Sequence, residues 1–323
     1  ADAELGQYNK HRPFLYRQRL VAYDISGICD SHYRIEYLSC RRRPADNSRP
    51  AAEKVIKMAL LEVKNLNTYF FTQSGVREAV KDVSFSVKMG ETFGLVGESG
   101  SGKSVTALSI LRLIDEPGRI VSGSILFDGR SLFALSAEEM RGVRGKDIAM
   151  VFQEPLAALN PVMTIGEQIT EQILAHKKVS KKEARTRAIE LMDEVRLSRP
   201  GDIFHEYPHQ LSGGMRQRAM IAMALSLRPK FLIADEPTTA LDVTIQAEIL
   251  DLFREIKEKH DMSILFITHD FGIIAQIADR VGVMRKGKIV EEGSVDDIFY
   301  SPKDAYTKEL LEAVPRIPKE LRA

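Results

Sequence analysis

Eight consecutive residues, Gly97-Glu98-Ser99-Gly100-Ser101-Gly102-Lys103-Ser104, fit the pattern G-x-x-x-x-G-K-[ST]. Glycines at this spacing let the backbone wrap around an anion with its N–H groups pointing inward. Lys103 can place a point charge on β- and γ-phosphates, and the Ser104 hydroxyl can ligate Mg²⁺. A Gly-rich turn before a helix is the bland alternative. The flanks favour the phosphate cradle: an apolar strand, Phe93-Gly94-Leu95-Val96, precedes it, and a helix opening at Val105 follows with its positive end toward the anion.

Such a site needs a further carboxylate, and Phe231-Leu232-Ile233-Ala234-Asp235-Glu236 can supply one. Four apolar residues drive that strand into a sheet, so Asp235 emerges at its C-terminal end beside the cradle. Asp235 is expected to hold Mg²⁺ through water, and Glu236 to accept a proton from an attacking water. A second anion-binding device follows the pattern Leu211-Ser212-Gly213-Gly214-Met215-Arg216-Gln217-Arg218. Ser212 caps a helix whose first two residues are glycines with open N–H groups. One phosphate chain does not need two cradles in one subunit, so this one is expected to serve the site of a neighbour.

The elements that carry these residues alternate between a period of 2 and a period of 3.6. Strands are expected at 61–66, 83–87, 92–96, 124–127, 148–152, 231–234, 263–267, 281–284 and 289–290. Helices are expected at 104–113, 137–143, 165–176, 181–195, 213–227, 243–259 and 305–313. Strands that are apolar on both faces imply an α/β protein, a parallel sheet covered by helices. Residues about 160–226 show no strand pattern and read as an inserted helical subdomain.

The bulk numbers of the 323-residue chain, 44% hydrophobic and a net charge of +1, describe an ordinary globular protein and argue against nucleic-acid binding through bulk charge. They hide a seam. Residues 1–57 hold 11 Lys and Arg against 7 Asp and Glu, a net of +4. Residues 58–323 hold 35 against 38, a net of −3. The first piece carries Cys29 and Cys40, the chain's 2 cysteines, and none of its 11 methionines. Three readings compete for it: a basic arm around Arg41-Arg42-Arg43, an unusual folded extension, or upstream sequence read through from a misplaced start. The expectation is the third, an atypical extension that is non-native or disordered.

Further motifs in order carry a resemblance to the ATP-binding subunits of ABC transporters. They are Gln153 after the strand at 148–152, the 211–218 signature, Asp235-Glu236, Thr239-Ala240-Leu241-Asp242, and Thr268-His269. The resemblance covers about residues 59–314. It implies a P-loop NTPase core with a mostly parallel sheet, an N-terminal antiparallel β subdomain and the inserted α-helical subdomain, all within 58–323, with a helical tail at about 295–323. It implies ATP and Mg²⁺ as ligands. Glu236, His269 and Gln153 would be the catalytic group, and Ser104, Gln153 and Asp235 would serve the metal. Residues Gly97 to Ser104, Val105 and Phe70 would hold the nucleotide, with Tyr69 or Phe71 as alternatives to Phe70 against the adenine. Ser212, Gly213, Gly214 and Asp242 would reach the nucleotide bound in a partner.

Finer features, among them Arg144-Gly145-Lys146-Asp147, Phe152-Gln153-Glu154-Pro155 and Leu159-Asn160-Pro161, resemble the oligopeptide, dipeptide and nickel importer subfamily, in its D-type ATPase. That implies a heterodimer with an F-type ATPase, two membrane permease subunits and, indirectly, a solute-binding protein, with no nucleic acid as partner. It also implies a peripheral place on the cytoplasmic face of the inner membrane. Two departures stand out. Leu156-Ala157-Ala158 replaces the subfamily's usual Met-Thr-Ser, and the subfamily's cysteine-rich tail has no counterpart, so a truncated C-terminus is expected. The rival reading is a soluble ABC ATPase of DNA repair, chromosome structure or translation. Such proteins usually carry a long coiled coil or zinc cysteines, and neither is visible between Ser104 and Asp235.

Overall fold

A computed structural model describes residues 59–313. The extension 1–57 with both cysteines, and the part of the helical tail beyond 313, lie outside the described residues.

Ten strands fall into two sheets. The first is antiparallel, in the order β2-β1-β4-β5: β1 (Ala59–Thr72), β2 (Gly75–Lys88), β4 (Gly118–Phe127) and β5 (Arg130–Ser131). The second has the order β10-β9-β3-β8-β7-β6: β3 (Thr92–Val96), β6 (Ile148–Val151), β7 (Phe231–Asp235), β8 (Ser263–Thr268), β9 (Arg280–Arg285) and β10 (Lys288–Ser294). All its neighbours are parallel except β9 and β10. The helices are α1 (Lys103–Ile110), α2 (Ala137–Val143), α3 (Pro155–Ala158), α4 (Ile165–His176), α5 (Lys181–Glu194), α6 (Pro200–Ile203), α7 (Gly213–Leu225), α8 (Val243–His260), α9 (Phe271–Ile277), α10 (Val295–Tyr300) and α11 (Ala305–Ala313). No helix among the described residues is long and apolar enough to cross a membrane.

The doubly apolar strands separate two hydrophobic cores. On β7, Phe231 and Ile233 face one core and Leu232 and Ala234 the other; β8 does the same with Leu265 and Ile267 against Ile264 and Phe266. The first core is completed by the antiparallel sheet, through Leu61, Val63, Leu66 and Phe85, and by Ala107 and Ile110 of α1. The second is completed by α4, α5, α7 and α8. Between β6 and β7 the chain is helical, through α3 to α7.

The structure lengthens and shortens several expected elements. The strand at 83–87 is the end of β2, whose start at Gly75 is exposed and polar and is held by pairing with the far end of β1 rather than by burial. The helix expected to reach Leu113 stops at Ile110. There Arg112 adopts a left-handed φ of 53°, the Leu113 N–H bonds to Leu108 O at 2.8 Å and the Arg112 N–H to Ser109 O at 3.0 Å. That double closure is a Schellman stop. Arg112 usually would not take this conformation, but its guanidinium is tied to Leu132 O and Leu135 O.

Candidate functional site

Because β3, β8, β7 and β6 run parallel, their C-terminal ends share one edge of the sheet. In order along that edge stand the glycine loop after β3, Thr268-His269 at the end of β8, Asp235-Glu236 at the end of β7, and Gln153 just past β6. Topology thus gathers residues far apart in sequence.

The loop is shaped by what surrounds it. A Cβ on Gly97 would stand 2.1 Å from Met284 O, and one on Gly102, at φ +110°, would stand 2.5 Å from Ala79 O. No side chain fits either position. Lys103 is 4% exposed, and its Nζ donates to Gly97 O at 2.7 Å and Glu98 O at 2.9 Å. Burial lowers its pKa, opposed by the charges of Glu236, Asp235 and Glu98. Behind it the Ser104 hydroxyl donates to Asp235 Oδ1 at 3.0 Å. Asp235 is 5% exposed, and burial pushes its carboxyl up to about 6 against the bond from Ser104 and the charge of Lys103.

Glu236 follows at a left-handed φ of 46°, its N–H bonded to Ile267 O at 2.9 Å. Three side chains converge on a single oxygen, Oε2: Gln153 Nε2 at 3.1 Å, Thr239 Oγ1 at 2.9 Å and His269 Nδ1 at 3.3 Å. No described contact reaches Oε1. Thr239 is the member to which the sequence motifs assign no role of its own. Its signal was present: a Thr three residues past a Glu can fold its hydroxyl back on the carboxylate.

Ser212 and Asp242 behave alike. Each caps a helix, α7 through the Met215 N–H at 3.3 Å and α8 through the Ile245 N–H at 3.0 Å. The two helix starts adjoin, since a Cβ on Gly214 would stand 2.9 Å from Ile245 Cγ2. Ser212, Gly213 and Asp242 are exposed, and no described hydrogen bond joins them to the glycine loop. Phe70 lies opposite Gly118 in the β1–β4 ladder, half-buried, with Gly118 packed under its ring edge. Its neighbours diverge: Tyr69 donates to Asn67 Oδ1 at 3.3 Å, and Phe71 is exposed beneath the Arg119 guanidinium.

Ser104 and Asp235 suit Mg²⁺, a hard cation that needs few protein oxygens when phosphates and water supply the rest. The Asp235 carboxyl is buried and bonded to Ser104, so a divalent cation placed there would meet two hard oxygen donors already side by side. Among the described residues no group of three or more His, Cys, Asp or Glu side chains forms a cage of protein ligands.

The model of the ABC transporter family matches residues 80–239, which run from β2 through the glycine loop to Thr239. The dipeptide transport ATP-binding protein DppD of Bacillus subtilis (strain 168) is 54% identical over 259 residues, covering 80% of this chain and 77% of that protein. The chain belongs to the ABC transporter family. The oligopeptide transport ATP-binding protein OppD of the same organism is 53% identical over 259 residues, with 80% and 72% covered. Among solved structures, the dimeric post-hydrolysis ATP-binding cassette MJ0796 bound to ADP and Pi superposes with a TM-score of 0.66 at 28% identity, covering 73% of this chain and 98% of that one. The fold is that of an ABC ATPase cassette, and the chain is the ATP-hydrolysing subunit of an ABC transporter.

Proposed function

We propose that the chain drives an importer of di- and oligopeptides, as the motor half of a pair of cassettes bound to two permease subunits. Its identity to DppD and OppD over most of all three chains is the observation that carries this reading. In it, the partner cassette is a distinct F-type ATPase, solute arrives from a binding protein, and the assembly sits on the cytoplasmic face of the inner membrane.

The loop Gly97–Ser104 and Val105 receive the phosphates of ATP, and the Phe70 ring takes the adenine. Mg²⁺, held by Ser104, Asp235 and Gln153, would neutralise charge on the β- and γ-phosphates when bound. Lys103 then swings its ammonium from the loop carbonyls to those phosphates. Ser212, Gly213 and Gly214 point open N–H groups at the γ-phosphate held by the partner, while Asp242 reports across the same seam, so ATP binding closes the pair. Glu236 accepts the proton of the attacking water at its uncommitted Oε1. Gln153, Thr239 and His269 keep Oε2 fixed, so the carboxylate need not reorganise as the water attacks. Loss of the γ-phosphate removes the bridge and the pair opens.

Gln153 also belongs to the surface that would meet the permease. Phe152, Leu156 and Val162, close to it in sequence, are exposed apolar side chains, the kind of surface on which a short helix of a membrane subunit could dock. The test is reconstitution with a permease pair and a peptide-binding protein of the same transporter, which the neighbouring genes are expected to encode. Peptide-loaded binding protein should raise ATP turnover several-fold, and vanadate should abolish it. Turnover indifferent to permease and peptide would favour the soluble ATPase reading; stimulation by nickel alone would change the solute.

A further inference from the structure

The glycine loop is also held from outside, by parts of the chain that take no share in the chemistry above. Gly287, in the turn between β9 and β10, donates its N–H to Ser101 O at 2.8 Å, and its own carbonyl accepts the Lys81 N–H at 2.7 Å. Immediately before that turn, the Arg285 guanidinium lies 4.2 Å from the centre of the Tyr306 ring. Tyr306 is the second residue of α11 and is 2% exposed. Its hydroxyl oxygen accepts the N–H of Glu98, in the first limb of the loop, at 3.3 Å.

The position of Tyr306 is itself fixed. Glu291 of β10 accepts the N–H of Lys303 at 2.7 Å and of Asp304 at 3.1 Å, and Asp304 Oδ1 accepts the N–H of Tyr306 at 2.8 Å. The strand therefore sets the start of α11, α11 sets the ring, and the ring hydroxyl meets the loop. A packed tyrosine needs a partner for its hydroxyl, and here that partner is the backbone of the phosphate loop. The anchor engages the Glu98 N–H and makes no hydrogen bond to the N–H of Gly102, Lys103 or Ser104, the groups nearest the helix.

We propose that Tyr306 is a positioning residue for the nucleotide: its hydroxyl holds the first limb of the phosphate loop in its receiving shape. This rests on the reading of Gly97–Ser104 as the phosphate site. A loop limb ordered in advance costs nothing further on binding, whereas a free limb must be ordered by the ligand. Losing the anchor should therefore weaken binding and leave turnover at saturation alone. Burial pushes the phenol up, so the hydroxyl keeps its proton at neutral pH.

The experiment compares the full chain with Tyr306→Phe, Arg285→Met, Leu310→Ala and Lys103→Ala. It reads trinitrophenyl-ATP affinity, melting temperature, and KM against kcat in the reconstituted transporter. Tyr306→Phe keeps the ring and loses only the hydroxyl, so Kd and KM should rise roughly three- to tenfold with kcat within about twofold. Arg285→Met, which frees the ring, should shift Kd the same way by less. Leu310→Ala, one turn further along the same helix and with no hydrogen bond to the loop to lose, should lower the melting temperature and leave Kd unchanged. An unchanged Kd in Tyr306→Phe, or an equal loss in Leu310→Ala, overturns the proposal. Wild-type affinity in Lys103→Ala would instead sink the phosphate-site reading beneath it.

Discussion

The two anion-binding devices of this chain are finished to different degrees. At the glycine loop, Lys103 and Asp235 are buried, Ser104 and Asp235 are bonded to each other, and neighbouring backbone presses on Gly97 and Gly102. At the start of α7, Ser212 and Gly213 are exposed; Ser212 caps its own helix, and the nearest atom to a Cβ on Gly213 would be Leu241 Cδ2, 3.8 Å away. On the proposed reading, one device is complete within the chain, and the other offers its N–H groups to the nucleotide of the partner. Half of a site that works in pairs should look like this, if each copy finishes one end of a nucleotide and offers the other, as proposed.

Substitutions can break that contrast or sharpen it. The largest effect belongs to the finished side: Glu236→Gln should cut hydrolysis by about 10²–10⁴-fold and trap an ATP-bound pair visible by size-exclusion chromatography. Retained turnover would remove Glu236 from its role as base. Gly213→Glu probes the unfinished side. The nearest atom to its added Cβ, Leu241 Cδ2, is 3.8 Å away, so the chain's own fold accepts it. Nucleotide affinity of the isolated subunit should stay put, while ATPase activity of the assembled pair falls by about tenfold or more, as a carboxylate meets the partner's γ-phosphate. Equal loss in both assays would erase the distinction between the two devices.

Asp235→Asn sharpens the comparison through stability. In the fold Asp235 is protonated below about 6, against 3.8 for the free side chain, because burial disfavours its charge. A raised pKa contributes stability fully present below about pH 4 and lost as pH rises through 6. Without Mg²⁺, Asp235→Asn should therefore gain up to about 3 kcal/mol over wild type at pH 7, shrinking toward zero at pH 4. Denaturant melts at both pH values check it, and the same variant should lose hydrolysis. The smallest effect is expected at Phe70→Ala, where loss of a stacking ring should weaken ATP by about fivefold but leave inorganic phosphate binding untouched.

Much of this arrangement is legible in the sequence because burial on both faces leaves an unmistakable run. Phe231–Ala234 and Ser263–Ile267 announce themselves as strands, and the loop between β3 and α1 announces its glycines. Other parts leave no such mark. Helix α9 reads only as a short apolar run, which period alone does not assign; the Asp270 side chain bonding the N–H groups of Gly272 and Ile273 is what starts it. The start of β2 is polar and exists by pairing. The meeting of Gln153, Thr239 and His269 on one oxygen is a product of strand order, which local patterns do not encode. Tyr306 carries no local signature, because its role comes from a ring placed by β10 and a hydroxyl reaching a loop some 200 residues earlier.

The order of strands has a consequence for synthesis. Strand β3, buried from end to end, is paired only with β8 and β9, and Ser263 of β8 comes 167 residues after Val96. At about 5–20 residues per second, a ribosome takes roughly 8–35 s to supply that partner. The antiparallel sheet can zip meanwhile, since β1, β2 and β4 are near neighbours in sequence. Phe93-Gly94-Leu95-Val96 waits with both edges open, an apolar segment exposed to any other nascent chain. The nucleotide pocket is thus spelled out early and assembled late, and the interval between is when this protein most needs a chaperone.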